Sequence, residues 1–300
     1  MTYKESNSSK FKLNIKNLQL SRKNLTNRYQ IEHKTNLLTT DERHVYLQTR
    51  MPATQAVCEK VFELIEQNSN ITSLLDLGCG PGSATYAALK IFPKLLTLHL
   101  IDQDNSYKYN FAQPYQFFQQ NFENLNIIQS YDVIVMSYAL SECNKKLIEE
   151  ILHKAWQSTI KYLIIVEPGT PFGYSSFLNA RQYLIEQGAF ILAPCPHELI
   201  CPLTNTDWCH FKIRLNRTKI HQQIKQGTKS FEDESYTFGI FSKQPIQIRK
   251  KTIIKKPIKR IGNIVFNLCT ADGLQTETIS RKNKIYYKKA KKLVWGDEFP

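Results

Sequence analysis

Long apolar runs are missing from this 300-residue chain, and acidic residues are scarce relative to basic ones. No stretch reaches about eighteen consecutive apolar residues, so we expect no membrane span. The first twenty residues lack the apolar core of a secretory signal. Their basic, Ser-containing composition predicts a polar arm, with organelle targeting as the alternative. The formal net charge of +14 favours a polyanionic partner such as nucleic acid or the ribosome, or an anionic membrane surface.

The chain has seven cysteines, an odd number, so they cannot all be paired in disulfides within the chain. That odd count fits a cytosol or a mitochondrial matrix better than secretion, and there clustered thiols indicate metal rather than disulfides. Three of the seven fall in one loop with the spacing C-x5-C-x7-C: Cys195, Cys201 and Cys209. A tetrahedral metal site needs a fourth ligand, and the candidates are His197, His210 and the distant Cys269. The spacing leaves an iron–sulfur cluster and a zinc site open.

Apolar strands alternate with helical patterns through the middle of the chain. Apolar segments at 73–77, before Asp102 and at 131–140 are joined by stretches with helical periodicity. This alternation predicts a parallel sheet with helices on both faces. We therefore predict an α/β protein in three parts: an N-terminal arm with helices at 1–70, a Rossmann-like domain at 71–243 with a cysteine loop at 194–210, and a basic β-rich segment at 244–300.

The first predicted strand runs into a glycine-rich turn, "DLGCGPGSA". Gly78, Gly80 and Gly82 lie between a strand and a helix, where glycine lets the backbone approach a ligand and the helix supplies free N–H donors. Asp76 precedes the glycines, and Asp102 ends the next strand, one β–α–β unit later. The spacing G-C-G-P-G does not fit the dinucleotide pattern G-x-G-x-x-G.

This segment resembles the first strand and loop of S-adenosylmethionine-dependent methyltransferases. The resemblance implies that Asp76 and the three glycines line the methionine and ribose of the cofactor, and that Asp102 holds the ribose. That family often places an acid beside the adenine after the third strand. The corresponding stretch here is "QQNFENL", so either Asn121 takes that place or the site binds the cofactor more weakly.

Catalytic residues are less clearly marked. Methyl transfer requires donor and acceptor held in line, and the candidates for orienting the acceptor are Glu142 and Glu167. The amino-group methyltransferase signature, Asn or Asp followed by Pro-Pro and an aromatic, is absent; "SYAL" stands in its place. Cys143 is an alternative nucleophile that lacks the usual Pro-Cys or Thr-Cys context. Cys58 and Cys79 are expected to be packing residues.

Five further segments resemble one family: "RMPAT", "VEPGTPFG", "APCPH…CP…DWCHF", "EDESYTF" and "KAKKLVWGD". They are similar to the methyltransferase-like small-ribosomal-subunit assembly proteins of mitochondria and their bacterial relatives, over roughly residues 20–297. The resemblance implies a [4Fe–4S] cluster on the three loop cysteines and Cys269, in preference to either histidine. It also implies small-subunit ribosomal RNA as the partner.

Basic residues are concentrated near the C-terminus. Residues 243–260 contain eight Lys or Arg and no acid, and 281–292 contain seven more beside Tyr286 and Tyr287. Clustered cations bind phosphates, and aromatic rings can stack on unpaired bases. We therefore predict RNA binding here, on a small β segment that could be an OB-like barrel. The predicted RNA-binding side chains are Arg249, Lys250, Lys251, Lys255, Lys256, Lys259 and Arg260.

Two functions follow from these patterns. The first is a ribosomal RNA methyltransferase, favoured by the intact glycine loop. The second is a catalytically inactive assembly factor that uses cofactor and cluster structurally, favoured by the missing acceptor signature. A small-molecule methyltransferase is disfavoured by the basic C-terminus. We expect a monomer without membrane association, in a bacterial cytoplasm or alternatively in a mitochondrial matrix.

Overall fold

A computed structural model describes residues 14–28, 38–66, 69–203, 207–246 and 249–300. The chain forms two compact units. The first comprises the described residues of Met1–Arg50 together with Asn216–Glu232, and the second comprises those of Met51–Leu215 together with Asp233–Pro300. No helix of the described residues is long and apolar enough to cross a membrane.

The first unit is helical. Its elements are α1 (Ile15–Asn27), α2 (Thr40–Thr49) and α7 (Lys219–Lys225). Helix α1 begins inside the arm predicted for the first twenty residues, because the Asn14 side chain accepts from Lys16 N and Asn17 N and caps the helix. Leu18, Val45 and Ile224 are buried against one another and form its small core. The remainder of the predicted arm, residues 1–13, lies outside the described residues.

The second unit contains an eight-stranded sheet with helices between its strands. Its elements in chain order are α3 (Met51–Phe62), β1 (Ser73–Leu77), α4 (Ser83–Ile91), β2 (Thr97–Asp102), β3 (Gln116–Gln119), β4 (Tyr131–Ser137), α5 (Lys145–Gln157), β5 (Thr159–Pro168), α6 (Pro171–Glu186), β6 (Phe190–Ala193), β7 (Phe211–Asn216) and β8 (Phe231–Ser242).

The strand order of this sheet is β3-β2-β1-β4-β5-β8-β6, with β7 paired to β8. Strands β1 to β5 are parallel, and β8 runs antiparallel between β5 and β6. The central strand β4 is buried from Tyr131 to Met136, because apolar clusters cover both faces of the sheet. The predicted Rossmann-like α/β fold is confirmed.

One connection departs from the alternation of strand and helix. Residues 103–115 link β2 to β3 and contain neither helix nor strand. The segment carries four aromatic residues, Tyr107, Tyr109, Phe111 and Tyr115. Three of these rings, those of Tyr109, Phe111 and Tyr115, lie within 5.2–5.6 Å of one another, so aromatic contacts take the place of a crossover helix.

A second sheet follows the first within the same unit. It contains β9 (Lys251–Ile253), β10 (Ile258–Arg260), β11 (Asn263–Thr270) and β12 (Gly273–Ser280), and α8 (Lys284–Ala290) comes after it. A hairpin through "ADG" joins β11 to β12, since Thr270 pairs with Gly273, whose φ is +105°. Both β9 and β10 pair with β11. The described strands number four, one fewer than the five of an OB barrel.

Candidate functional site

The glycine-rich loop leaves the sheet where the strand order reverses. The chain runs from β1 outward to β2 and β3, then returns to β4 on the other side of β1. Ligands of open α/β sheets bind at the carboxyl ends of the strands at such a reversal. The loop is tied to β2 because Gly78 N and Cys79 N both donate to Ile101 O, at 2.8 and 3.1 Å. The glycines therefore lie at the expected ligand position.

The three glycines differ in the space around them. All three have positive φ, a conformation that favours glycine. A Cβ on Gly78 would lie 2.9 Å from Ala139 Cβ, and one on Gly82 would lie 3.0 Å from the Phe111 ring. A Cβ on Gly80 would meet nothing within 4 Å. Gly78 and Gly82 are thus required for packing, whereas Gly80 faces open space.

Asp76 is fully buried at the end of β1. Its Oδ2 accepts from Thr85 N at 3.1 Å and from Thr85 Oγ1 at 2.7 Å, while its Oδ1 has no hydrogen-bond partner in the described structure. Burial raises the pKa of this carboxyl to about 7. A buried acceptor without a donor is costly, and a ligand donor would relieve that cost.

The other two predicted cofactor-binding side chains already have protein partners. Asp102 accepts from Gly80 N at 2.7 Å and from Asp104 N at 2.8 Å, one bond to each carboxylate oxygen. Burial raises the pKa of Asp102. The side chain of Asn121 caps a short 3₁₀ turn by accepting from Asn124 N at 3.0 Å. Both residues lie at strand ends beside the glycine loop, and Asp102 also fixes the conformation of that loop.

Tyr109 belongs to this site although the motif analysis did not select it. Its hydroxyl donates to Gly80 O at 2.7 Å and lies 3.3 Å from Cys79 Sγ. Its ring stacks on Phe111, with an interplanar angle of 10°. The concentration of aromatic residues in "SYKYNFAQPY" was the available signal, because four rings in ten residues are unusual for a solvent-exposed loop.

The turn after β4 lies next to the glycine loop. Tyr138 has a φ of +58°, which is strained for an aromatic residue and is typical of functional sites. Glu167, fully buried at the end of β5, accepts from Leu140 N at 2.9 Å and so holds this turn. Glu142 closes the 3₁₀ turn Leu140–Glu142. Cys143 donates its thiol to Ala139 O at 3.7 Å, a contact within the same turn.

The three cysteines of the C-x5-C-x7-C loop gather with Cys269 beside the edge of the main sheet. All four are free thiols and contribute to the same apolar cluster. Arg181 Nε donates to Cys195 Sγ at 3.3 Å, and the Tyr174 hydroxyl lies 3.1 Å from Cys201 Sγ. Strand β11 brings Cys269 to the loop, and Thr252 of β9 donates its hydroxyl to Pro194 O, just before the first cysteine.

The thiols are close enough to influence one another electrostatically. Burial raises the pKa of Cys209 well above its usual value, and Cys195, Cys201 and Cys269 raise it further. Burial and the same neighbours raise the pKa of Cys269 to about 12. No group of three or more His, Cys, Asp or Glu side chains in the described ranges has the geometry of a metal site. The four thiols are therefore neighbours with the donor chemistry of a metal–thiolate site, but no group of them is placed to hold a single metal ion in the described structure.

The two histidines of the loop have different surroundings. His197 Nε2 lies 3.6 Å from Cys269 Sγ, and its buried Nδ1 has no partner in the described part of the chain. His210 stacks on Trp208 and contacts Trp295 edge-on. The structure thus places His197 beside the thiols as a further donor and gives His210 an aromatic environment.

Most of the chain, including the cysteine loop and the basic C-terminal segment, falls within the match to one known family. Residues 40–300 match the family described as "Mitochondrial small ribosomal subunit Rsm22". The chain belongs to this Rsm22 family. The resemblance drawn from the sequence motifs is thereby confirmed.

Curated relatives of this Rsm22-family chain include mitochondrial proteins. The human "Ribosome assembly protein METTL17, mitochondrial" is 26% identical over 288 residues, covering 85% of this chain and 62% of that protein. "Rsm22-cox11 tandem protein 2, mitochondrial" of Schizosaccharomyces pombe is 23% identical over 334 residues, covering 90% and 44%. The chain therefore spans less than two thirds of the length of either relative.

Solved structures similar to this Rsm22-family chain include methyltransferases. The plantazolicin methyltransferase BpumL in complex with SAH has a TM-score of 0.44 at 14% identity, covering 77% of this chain and 98% of its own. Magnesium protoporphyrin IX methyltransferase from Synechocystis PCC 6803 with bound SAM has a TM-score of 0.40 at 13% identity, covering 77% and 99%. Likeness at this level defines neither the ligand nor the activity of this chain.

The predicted RNA-binding cations divide into two groups. Arg249 donates to Gly296 O at 3.1 Å, Lys251 forms an ion pair with Glu277, and Lys255 forms one with Asp207. The other four are exposed on the surface: Lys250, Lys256, Lys259 and Arg260.

Two hydrogen bonds bring the second basic run of this Rsm22-family chain, residues 281–292, beside the exposed cations near Arg260. Arg281 N donates to Gly262 O at 2.7 Å, and Lys259 Nζ donates to Lys291 O at 3.1 Å. The turn between β10 and β11 is therefore next to α8. We call the exposed cations here the basic face: Lys256, Lys259, Arg260, Arg281, Lys282, Lys284, Lys288 and Lys291.

Proposed function

We propose that this chain is a methyltransferase-like assembly protein that binds S-adenosylmethionine, holds a [4Fe–4S] cluster and acts on or binds small-subunit ribosomal RNA. The observation that carries the proposal is the glycine loop at the sheet reversal, with open space at Gly80 and an unpartnered buried oxygen on Asp76. Membership of the Rsm22 family supports the ribosomal context.

The cofactor site suits a ligand with a cationic and a polar end. Asp76 Oδ1 would accept from the amino group of the methionine part, which would give this buried acceptor the donor that it lacks. Gly80 offers the backbone space that a ribose or methionine chain would fill. Asp102 would bind the ribose and Asn121 the adenine. Each would replace one hydrogen bond that it now accepts from the protein. When bound, S-adenosylmethionine supplies an activated methyl group on a sulfonium.

Catalysis would depend on the turn after β4. Glu167 and the strained Tyr138 shape this turn, and Glu142 lies at its end. An acceptor placed there would lose a proton and gain the methyl group, and a carboxylate nearby would take that proton. One observation favours the alternative of a catalytically inactive assembly factor. Glu167 is fully buried and already accepts from Leu140 N, so its geometry serves the turn.

The metal site suits a metal–thiolate centre. Four free thiols from two distant segments, three partly buried and Cys269 buried, lie together, and one of them accepts a hydrogen bond from a guanidinium, as metal-bound thiolates do. Cys195, Cys201, Cys209 and Cys269 would hold the cluster, and zinc is the alternative metal. The centre would cross-link the cysteine loop to β11 and so fix the second sheet against the first.

RNA binding would use the basic face. Its cations come from two runs that the fold brings together, and Ile261, next to Arg260 in the chain, is completely exposed, at 104%. An exposed apolar side chain beside cations fits a nucleic acid, because phosphates meet the cations while a base or sugar meets the apolar group. The mitochondrial names of the relatives support a mitochondrial matrix rather than the bacterial cytoplasm. The protein would act as a monomer in that compartment.

The decisive experiment is crosslinking of the protein to RNA in cells, followed by modification mapping of the bound RNA with and without the protein. We expect recovery of small-subunit ribosomal RNA. A methylated nucleotide that disappears on deletion of the protein and returns only with an intact glycine loop would establish the enzyme. Unchanged modification with defective small subunits would establish the assembly factor. Recovery of no ribosomal RNA would contradict both.

A further inference from the structure

Arg181 is the largest fully buried side chain of the described residues, with 1% of its surface exposed. It lies in α6, which packs against β5 of the main sheet. An arginine guanidinium is not deprotonated in proteins, so its positive charge is buried with it. A buried charge is costly unless an opposite charge compensates it.

The partners of Arg181 all belong to the cysteine loop. Its Nε donates to Cys195 Sγ at 3.3 Å, and one terminal nitrogen donates to His197 O at 2.8 Å and to Leu199 O at 3.0 Å. No carboxylate of the described ranges lies within ion-pair distance of it. The contrast with Arg217 is clear, since that partly buried arginine pairs with Glu232 at 2.9 Å.

The cysteine thiols can supply the missing negative charge, because they lose their protons when they bind a metal. Arg181 contacts the Cys195 thiol directly and also acts electrostatically on Cys269 and His197. As neutral thiols they leave the guanidinium uncompensated. As metal ligands they are thiolates, and four thiolates around either zinc or an oxidised [4Fe–4S] core leave a dianionic centre.

We propose that Arg181 is the buried counterion of an anionic metal–thiolate centre at Cys195, Cys201, Cys209 and Cys269. This rests on the metal site in the proposed function. Arg181 is a positioning residue, because it acts on the ligands and does not touch the metal. Its two carbonyl contacts fix the backbone between Cys195 and Cys201, and its charge lowers the free energy of the anionic centre.

The charge has a consequence for redox behaviour. Reduction of an iron–sulfur cluster adds one negative charge to the centre, and the guanidinium stabilises the reduced form more than the oxidised form. Loss of the charge should therefore shift the midpoint potential to more negative values. A residue that only clamps the loop would leave the potential unchanged.

The test uses the full chain purified without oxygen, in four forms: wild type, Arg181→Gln, Arg181→Lys and the matched control Tyr174→Phe. The control removes a neutral hydroxyl beside Cys201 Sγ and no charge. The measurements are circular dichroism, iron and zinc per chain, and the midpoint potential. We expect Arg181→Gln to lower metal affinity roughly ten- to a hundredfold and to shift the potential downward. Arg181→Lys and Tyr174→Phe should remain closer to the wild type.

Each remaining outcome decides the question. A folded Arg181→Gln with wild-type iron content and potential would overturn the proposal. Equal iron loss in folded Arg181→Gln and Arg181→Lys would assign Arg181 to loop geometry alone. If Arg181→Gln does not fold, Arg181→Lys decides between the two roles. An unchanged midpoint potential in Arg181→Lys would support the role of the charge. Near-complete metal loss in Arg181→Lys would contradict it. Zinc instead of iron in the wild type would refute the cluster, while chelator competition with the same variants would still test Arg181. A metal-free wild type would overturn both.

Discussion

Two loops that follow strands of one sheet carry the candidate sites of this chain, and they are built in opposite ways. The glycine loop follows β1, and its main partners, Asp76, Ile101 and Asp102, come from the same β–α–β unit. The cysteine loop follows β6 and is completed by Cys269, which arrives from another sheet sixty residues after Cys209. The first loop is therefore specified by local sequence, whereas the second requires the whole unit to fold.

The two loops also handle buried charge differently. The glycine loop surrounds acidic side chains with backbone N–H donors and leaves one Asp76 oxygen without a partner. The cysteine loop surrounds thiols with a buried cation. The first arrangement suits a ligand that brings donors or positive charge, and the second suits ligands that become anionic. The following predictions test this contrast, from the largest expected effect to the smallest.

The long-range closure of the cysteine loop predicts the largest effect. We expect Cys269→Ser to lose most of the bound metal and to loosen the second sheet, because the centre links segments that no other covalent bond joins. Iron per chain and proteolysis of the C-terminal segment measure this. Cys58→Ser, in buried α3 and far from the loop in sequence, is the control that should retain metal. Full retention in Cys269→Ser with loss in His197→Ala would make His197 the fourth ligand.

Open space at Gly80 predicts a selective loss of cofactor binding. We expect Gly80→Ala to weaken S-adenosylmethionine binding roughly ten- to a hundredfold, since the new methyl group occupies space that the ligand requires. Gly188→Ala is a matched control, because Gly188 also has positive φ and nothing within 4 Å of an added Cβ. Each change should cost about 1 kcal/mol in backbone strain. Calorimetry showing equal binding by the two variants would contradict a ligand at Gly80.

Burial of Asp76 predicts a pH-dependent gain in stability on mutation. Its folded pKa of about 7 exceeds the unfolded value of 3.8, so the folded chain binds the proton more tightly and loses stability as pH rises between these values. Asp76→Asn removes that loss. We expect the unfolding free energy to rise by about 1–3 kcal/mol above pH 7, with the gain vanishing near pH 4. Cofactor binding should weaken in the same variant.

Asp132→Asn supplies the control of opposite sign. Burial raises the pKa of Asp132, but hydrogen bonds from Thr72 and the Lys161 ammonium outweigh it and hold the pKa below its usual value. Its stabilising effect is therefore present at neutral pH and is lost as pH falls through the folded pKa. Asp132→Asn should destabilise the chain at pH 7. A stability profile for Asp76→Asn parallel to that of Asp132→Asn would show that the Asp76 carboxylate is stabilised in the folded chain.

The contrast also explains what the sequence could predict. The strand–glycine–helix pattern and the acids at strand ends identified the first candidate site, because every signal lies within about thirty residues. The spacing of three cysteines located the second loop, but the choice of Cys269 over His197 or His210 required a family resemblance. Arg181 and Tyr109 were missed because neither belongs to a motif. Their roles depend on burial and on contacts that form only in the folded unit.

The smallest effects concern single cations of the basic face. The sequence pattern predicted RNA binding for all the selected cations of 249–260. In the folded chain, Lys251 forms an ion pair with Glu277, whereas Arg260 is exposed. A cation that contacts a phosphate releases counterions, so removing it should reduce the slope of log affinity against log salt by about one. We expect this for Arg260→Gln and Lys256→Gln, measured with small-subunit RNA between 50 and 200 mM salt. Lys251→Gln should leave the slope unchanged, because its charge is already paired.

Ile261→Ser should weaken binding by the same factor at every salt concentration, since an apolar contact releases no ions. Equal slopes for Arg260→Gln and Lys251→Gln would mean that the RNA lies elsewhere on the chain.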